Sequence, residues 1–327
     1  MKRRILSALY RADDYISGQE LCQDLNVSRT AVWKTINQLK EEGYEIQAVS
    51  RKGYKILSSP DQITGEEVGA RLQTKWLGGE IHYYESIDST NNEAKRLAEQ
   101  GAPNGTLILA EKQEKGKGRR GRTWETPGKT SIAMSFLLRP NLSPAQASMV
   151  TLVMGLAVAQ ACRELCGAEA KIKWPNDIVI NGRKICGILT EMSAEMECIN
   201  YLVVGTGINV NQQEFPLEIQ DVASSLLSSS GEKTNRAKLA ALCLDKFEEY
   251  FEAFLRTGDL SELEEEYNRM LAGKDSAVRV LEPGNEHEGI SKGINPKGEL
   301  LVELPDGTTE AVYSGEVSVR GIYGYIG

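Results

Sequence analysis

Thirteen consecutive residues, KQEKGKGRRGRTW at 112–124, cannot form a helix: glycines stand at 116, 118 and 121, and Pro127 follows closely. Runs suited to strands flank them, GTLILAEK before and SIAMSFLL after, so the segment is an open loop between strands. Six of the thirteen are cations (Lys112, Lys115, Lys117, Arg119, Arg120 and Arg122). Glycine lets backbone approach a ligand, and interleaved Lys and Arg supply charged donors, a pairing suited to phosphate or carboxylate. GKGRRG also matches the dinucleotide pattern G-x-G-x-x-G, but TWETPGK after it cannot open the required helix. No G-K-[ST] closes the run at Walker spacing. On the loop alone, a solvated basic segment or a nucleic-acid patch stays open beside the anion cradle.

Charge separates those options. The chain of 327 residues has a net charge of −8, which excludes a protein coated in basic surface. Residues 1–59 nevertheless hold ten Lys and Arg against seven Asp and Glu, a net of +3 that leaves −11 for the remainder. Nucleic-acid binding is therefore expected at the N-terminus. There, residues 2–10 and GQELCQDL read as helices, and SRTAVWKTINQLKEEG as a third, N-capped by Ser28 with Val32, Ile36 and Leu39 inward. That leaves Arg29, Thr30, Trp33, Lys34 and Asn37 outward, and YEIQAVSRKGYKIL reads as a hairpin wing turning at Arg51-Lys52-Gly53. A winged helix-turn-helix that binds DNA through Ser28, Arg29, Thr30, Trp33, Lys34, Arg51 and Lys52 is expected over 1–62, a protein-interaction domain being the alternative. Pro60 then bars helix continuation, and Thr64 with Glu67 offers a capping box to the next helix.

Residues 63–273 read as a sheet with helices. IHYYES is a strand candidate, and Asp88-Ser89-Thr90-Asn91 precedes a helix that these residues would cap. Residues 144–166 are apolar on nearly every face, as in a helix buried on a sheet. In KIKWPNDIVINGRKICGILTEMS, Asn181-Gly182 marks a hairpin turn, and strict alternation puts Lys184, Cys186, Ile188 and Thr190 on one face. By residue pattern alone Lys184 reads as an exposed lysine on an edge strand. YLVVGTGINVN is a strand whose glycines admit close approach of a ligand, or mark a bulge. Helices are expected at 236–256 and 259–272. From Lys274 short runs alternate with turns at Pro283-Gly284, 295–298 and 305–307, predicting a small SH3-like all-β domain over 274–327. Six cysteines without a C-x-x-C pair indicate neither zinc nor a disulfide framework, and the apolar run at 149–159 is too short to span a bilayer. A cytoplasmic α+β protein without a membrane partner is expected.

The ordered set DSTN, GKGRRGRTW, KWPNDI with NGRKICGILTE, and VGTGINVN resembles the bacterial biotin protein ligases over essentially the whole chain, and the winged helix resembles their bifunctional repressor subclass. The resemblance implies a central mixed-sheet domain of the biotin/lipoate ligase, class II synthetase-like type. It implies ATP, magnesium and biotin as ligands, biotinyl-5′-AMP as product and corepressor, and biotin carboxyl carrier protein, operator DNA and a second copy of the adenylate-bound chain as partners. By the same resemblance Ser89, Thr90, Asn91, Gln113, Lys117, Gly118, Arg119 and Lys184 would surround biotin. Arg122, Trp124, Asn176 and Asn209 would meet the nucleotide, Asp177 would face magnesium, and Lys184, Arg119, Arg122 and Asp177 would carry catalysis. Lys117 departs from the arginine common at that place in the family, keeping charge but losing the bidentate fork. A lipoate ligase, or a transcription factor that only senses ligand, remains the alternative.

Overall fold

The computed structural model describes residues 1–195, 198–281, 286–314 and 318–321. The expected turn at Pro283-Gly284 lies outside them. At the N-terminus come α1 (Lys2–Arg11), α2 (Gly18–Leu25) and α3 (Arg29–Glu41), then the hairpin β1 (Glu45–Val49) and β2 (Gly53–Ser58). Ser17 and Glu20 close a capping box on α2, Asn26 ends it in the left-handed conformation, and Ser28 caps α3 by accepting from the Ala31 amide. Ile5, Leu6, Leu9, Leu21, Val32, Ile36 and Leu39 form the core of this unit. The wing turns through Arg51 at φ 66° and Gly53 at φ 116°. A Cβ on Gly53 would lie 2.0 Å from the Ile16 carbonyl oxygen, so only glycine fits.

α4 (Gly65–Arg71) is the seam, with Ala70 in the winged-helix core and Val68 in the central one. The expected capping box is only half formed. Thr64 accepts from the Glu67 amide, but the buried Glu67 carboxylate turns away to receive the Tyr10 and Tyr44 hydroxyls at 2.6 and 2.7 Å and the Arg71 guanidinium. A buried carboxylate gains more from two phenols and a cation than from one backbone amide.

The central unit runs β3 (Ile81–Ile87), α5 (Thr90–Glu99), β4 (Leu107–Gln113), β5 (Ser131–Leu138), α6 (Pro144–Cys166), β6 (Lys171–Lys173), β7 (Asp177–Ile180), β8 (Arg183–Glu195), β9 (Cys198–Asn209), α7 (Leu226–Ser230), α8 (Arg236–Thr257) and α9 (Glu264–Met270). Its seven strands lie in the order β3-β4-β5-β9-β8-β7-β6, with β3 and β4 parallel and the other pairs antiparallel. α6 and α8 cover one face and α5 part of the other. Although α6 is long and apolar enough to cross a bilayer, 72% of its most apolar window is buried, which makes it a core helix. α9 is shorter than the helix expected at 259–272. Asp259 accepts from the Ser261 amide in a local turn, and Leu271 is extended and bridges to Ile172.

The C-terminal unit is an antiparallel sheet of β10 (Ala277–Leu281), β11 (His287–Ile294), β12 (Leu300–Glu303), β13 (Thr309–Val312) and β14 (Ser318–Gly321), in the order β13-β12-β11-β10-β14. Val278, Val280, Ile294, Leu300 and Val302 join the central core, and the Trp174 indole donates to the Gly298 carbonyl at 3.0 Å. The architecture is α+β: winged helix, mixed sheet with helices, small β-domain.

Candidate active site

On the face of the sheet that carries α5, register sets two rows of neighbours side by side, Ala133–Gly207–Gly187 and Ser135–Gly205–Leu189. Small residues in the first row leave a trough, and the Trp124 indole lies in it. A Cβ on Gly207 would stand 2.4 Å from that indole, and one on Gly187 would stand 3.0 Å from Lys184 Nζ. In the second row a Cβ on Gly205 would fall 1.9 Å from Asn91 Oδ1. Both glycines of VGTGINVN therefore serve close packing of pocket side chains. Trp124 Nε1 is buried and has no hydrogen-bond partner among the described residues, so the indole is a platform with one donor unspent.

Lys184 reaches the same trough through a register shift. Val179 pairs with Lys184 but Ile178 pairs with Cys186, so β8 carries one extra residue, a β-bulge. The expectation of a shared face is corrected. Cys186 and Ile188 go into the core under the helices, whereas Lys184 turns to the ligand face, its Nζ 2.6 Å from Asp177 Oδ1 and 5.3 Å from the centre of the Trp124 ring. The edge-strand reading is corrected too, since β8 lies between β9 and β7 and the lysine side chain is 26% exposed. Burial pushes the Cys186 thiol well up, leaving it without nucleophilic character.

Polar side chains close one end. Ser89 begins α5 without a side-chain capping bond, which corrects the capping expectation there; Asp88 instead receives Asn92 and Arg96. The Thr90 amide donates to Gln113 Oε1 at 2.8 Å, and Gln113 Nε2 donates to Thr126 at 3.1 Å. Asn91 donates to the Leu189 carbonyl and to Glu191. Burial works to raise Glu191, but bonds from Lys95 and Asn91 outweigh it and hold the carboxylate below its ordinary value.

The basic loop folds over this floor as a narrow excursion with its own ladder. The Trp124 amide donates to the Gly116 carbonyl, Lys117 bridges Thr123, and the Gly118 amide donates to the Arg122 carbonyl at 2.7 Å. Its tip is a 3-10 turn at Arg119–Gly121, with Arg120 at φ 57° and Gly121 at φ 71°. Lys117 Nζ donates to Asn92 at 2.7 Å. Arg119 donates to Asn176 Oδ1 at 2.9 Å and to the Ser314 carbonyl at 3.0 Å, so the loop touches the C-terminal unit. Burial lowers the Arg119 pKa, and Asp177 opposes that shift.

Three cavities meet where Arg119 bonds Asn176. The first, about 50 Å³, is lined by Ser89, Thr90, Asn91, Gln113, Lys117, Gly118, Trp124 and Lys184 as well as that pair. The second, about 120 Å³, is the cationic one, adding Arg120, Arg122, Lys173 and Asp177. The third, about 240 Å³, opens between β8, the start of α6 and Tyr313. Asn209 is not among the lining residues; its amide donates to the Ser224 carbonyl at 3.1 Å, tying the end of β9 to the segment before α7. Lys173 lines the second cavity, while Thr126 and Ser135 stand behind the first, bonded to Gln113 and Thr90; none of the three stands out in the sequence, although a serine inside the apolar run SIAMSFLL is a visible signal. No cluster of three or more His, Cys, Asp or Glu side chains among the described residues forms a metal cage. Asp177 alone fits magnesium held chiefly by phosphate oxygens.

A second surface is the outer face of α3 and the wing. Ser28, Arg29, Thr30, Trp33, Lys34, Arg51 and Lys52 are all exposed there, Trp33 to 57%. An exposed tryptophan among cations is a contact surface rather than a core face.

Fold and cavities define the class, a catalytic sheet of the biotin/lipoate ligase type carrying a winged helix. Family models agree: an HTH domain over residues 2–55, the Biotin/lipoate A/B protein ligase family over 83–209, and the Biotin protein ligase C terminal domain over 275–320. The bifunctional ligase/repressor BirA of Bacillus subtilis (strain 168) is 37% identical over 309 residues, 94% of each chain. That of Escherichia coli (strain K12) is 30% identical over 316 residues, 96% of each. A biotin protein ligase from Aquifex aeolicus, solved with biotin and ATP, matches with a TM-score of 0.66 and 30% identity over 74% of this chain and 99% of that one. The chain belongs to the biotin protein ligase family, as one of its bifunctional ligase/repressors.

Proposed function

We infer that the chain is an ATP-dependent biotin protein ligase and a biotin-responsive transcriptional repressor. It joins biotin to ATP, giving biotinyl-5′-AMP and pyrophosphate, and passes the biotinyl group to a lysine of biotin carboxyl carrier protein. The observation that carries the reading is the meeting of the three cavities at Arg119 and Asn176, one polar, one cationic and one open to the surface. Ser89, Thr90, Asn91 and Gln113 suit the ring of biotin, with Lys117 and Gly118 closing over it, and a network of amide and hydroxyl groups favours a cyclic urea over the dithiolane of lipoate.

The carboxylate of biotin would then stand beside Lys184 and Arg119. When it attacks the α-phosphorus and the bond to pyrophosphate breaks, charge grows on the phosphate oxygens and on the leaving group. Cations already in place stabilise that charge without reorganising, and Lys184, Arg119, Arg122 and Lys173 are so placed. Trp124 offers a face to the adenine, Asn176 lies at the junction, and Asn209 supports the nucleotide end through the segment it ties. Magnesium, which neutralises phosphate charge when bound, would enter on the nucleotide with Asp177 as its protein carboxylate. In the second step the carrier lysine attacks the acyl carbon and the bond to AMP breaks. The third cavity is its approach.

For repression, α3 would enter the major groove of operator DNA, with Arg51 and Lys52 on the backbone. Past Gly187, where its pairing with β7 ends, β8 runs on to Glu195 with β9 on one side only, an edge on which two adenylate-bound copies would pair. We divide the chain at 62 and 273 and place it in the cytoplasm, where the carrier is made. Incubation with biotin, magnesium-ATP and a carrier domain tests the enzyme: pyrophosphate exchange into ATP and a biotinyl mass increase on one lysine are expected. Binding without exchange would mark a sensor, and exchange with lipoate instead a lipoate ligase. Sedimentation with and without biotinyl-5′-AMP tests the pairing.

A further inference from the structure

Behind the polar end of the biotin cavity lies Ser135, fully buried on β5 and not itself lining the cavity. Its hydroxyl oxygen is 2.6 Å from Asn91 Oδ1 and 2.7 Å from Thr90 Oγ1. Who donates follows from the neighbours. Asn91 Nδ2 faces the Leu189 carbonyl at 3.2 Å and Glu191 at 2.8 Å, both acceptors only, so Asn91 must turn its oxygen to Ser135. An amide oxygen cannot donate, so the single Ser135 proton goes to Asn91. In the contact between the two hydroxyls Thr90 is therefore the donor. Its only other inward acceptor, Gln113 Oε1, stands 3.0 Å away and already receives the Thr90 amide. Either way the Thr90 proton stays inside the protein, and its oxygen presents a lone pair to the cavity.

We propose that Ser135 is a positioning residue that fixes Thr90 Oγ1 as a hydrogen-bond acceptor and thereby selects a ligand ring bearing an N–H. The proposal rests on the reading of the cavity as a biotin site. It assigns ring selection to a residue that touches no ligand. Without the Ser135 hydroxyl, Asn91 Oδ1 is left buried and unpaired, and Thr90 loses its nearer acceptor, so its proton is held inward only by the longer contact to Gln113 Oε1, which the Thr90 amide already shares, and its hold against the ligand N–H weakens.

The test is equilibrium binding of biotin, without ATP, to the full chain and to Ser135→Ala and Ser135→Cys, together with steady-state adenylation. Ser135→Ala should lower the thermal midpoint modestly and weaken biotin about tenfold while KM for ATP and kcat stay unchanged, and Ser135→Cys, a weaker donor of similar size, should fall between. With a biotin analogue methylated on the ring nitrogens, wild type and Ser135→Ala should bind alike, because the N–H they differ over is gone. Unchanged biotin binding by Ser135→Ala, or equal loss for biotin and the methylated analogue, overturns the proposal. So does a joint loss of biotin affinity, ATP affinity and kcat. Failure of the wild type to bind biotin would instead overturn the reading of the cavity.

Discussion

Two cations near the ligand sheet are held in opposite ways. Arg236, at the start of α8, has a side chain 1% exposed and spends its donors on Asp61, Glu111 and the carbonyls of Asp61 and Ser131. Glu111 also receives the backbone amide of Lys129, just past the basic loop, so one guanidinium ties the segment after the winged helix to β4 and the loop exit. Lys184 is partly exposed and has one anionic partner, Asp177, for three donors. A cation with every donor matched in a dry site belongs to the fold; one left short of acceptors beside a cavity is kept for a ligand. Both are lysine or arginine among carboxylates, and only the count of satisfied donors tells them apart.

Removing each cation should therefore break different properties. Arg236→Met strands the buried Glu111 carboxylate against the core and should lower unfolding free energy by about 3–5 kcal/mol, read from urea melts. Lys184→Gln should cost less, about 1–2 kcal/mol, because Asn176 still donates to Asp177, and should cut biotin-dependent pyrophosphate exchange by about 100- to 1000-fold. If Lys184→Gln unfolds the chain, or Arg236→Met lowers exchange at unchanged stability, the distinction between the two cations fails.

Arg119 stands between these cases, since it bonds Asn176 and Ser314 yet lines all three cavities. Arg119→Gly should still form adenylate but release it roughly ten- to a hundredfold faster, the loss of a charged hydrogen bond. Chasing labelled adenylate from the protein measures that rate, and bystander lysines should become biotinylated. A variant that retains adenylate as the wild type does, and labels the carrier alone, would place Arg119 with Arg236 among structural cations.

The sequence revealed local chemistry better than facing. Glycines and cations at 116–122 marked the loop, Asn181-Gly182 (φ 49° and 79°) marked the hairpin, and Ser28 marked the start of α3. Alternation alone puts Lys184 on the wrong face because the bulge beside it reverses the pattern of β8, and nothing in RKICG announces one inserted residue. Glu67 reads as a cap because its phenolic partners, Tyr10 and Tyr44, are distant in sequence. Arg236 carried no signal at all. Its partners, Asp61 and Glu111, lie 175 and 125 residues away, and no short-range pattern encodes such a meeting.

A half-buried carboxylate with no ion pair among the described residues, its chain neighbour Lys246 opposing burial only weakly, completes the comparison. Asp245, on α8, receives the Gln73 amide at 2.8 Å, yet burial dominates and raises its pKa from 3.8 to about 6. Its folded value lies above the unfolded one, so between those values the native state keeps a proton that the unfolded chain releases. Stability thus falls as pH rises from 3.8 towards 6, and the full penalty is present above that window. Asparagine keeps the oxygen that Gln73 needs and carries no charge. Asp245→Asn should stabilise the protein by about 1 kcal/mol at pH 8, the pKa shift being discounted for the solvent that still reaches the group, and by almost nothing near pH 4. Urea midpoints at the two pH values decide it. An equal gain at both would mean that the carboxylate is not penalised by burial, and that a matched cation is not what separates Glu111 from Asp245.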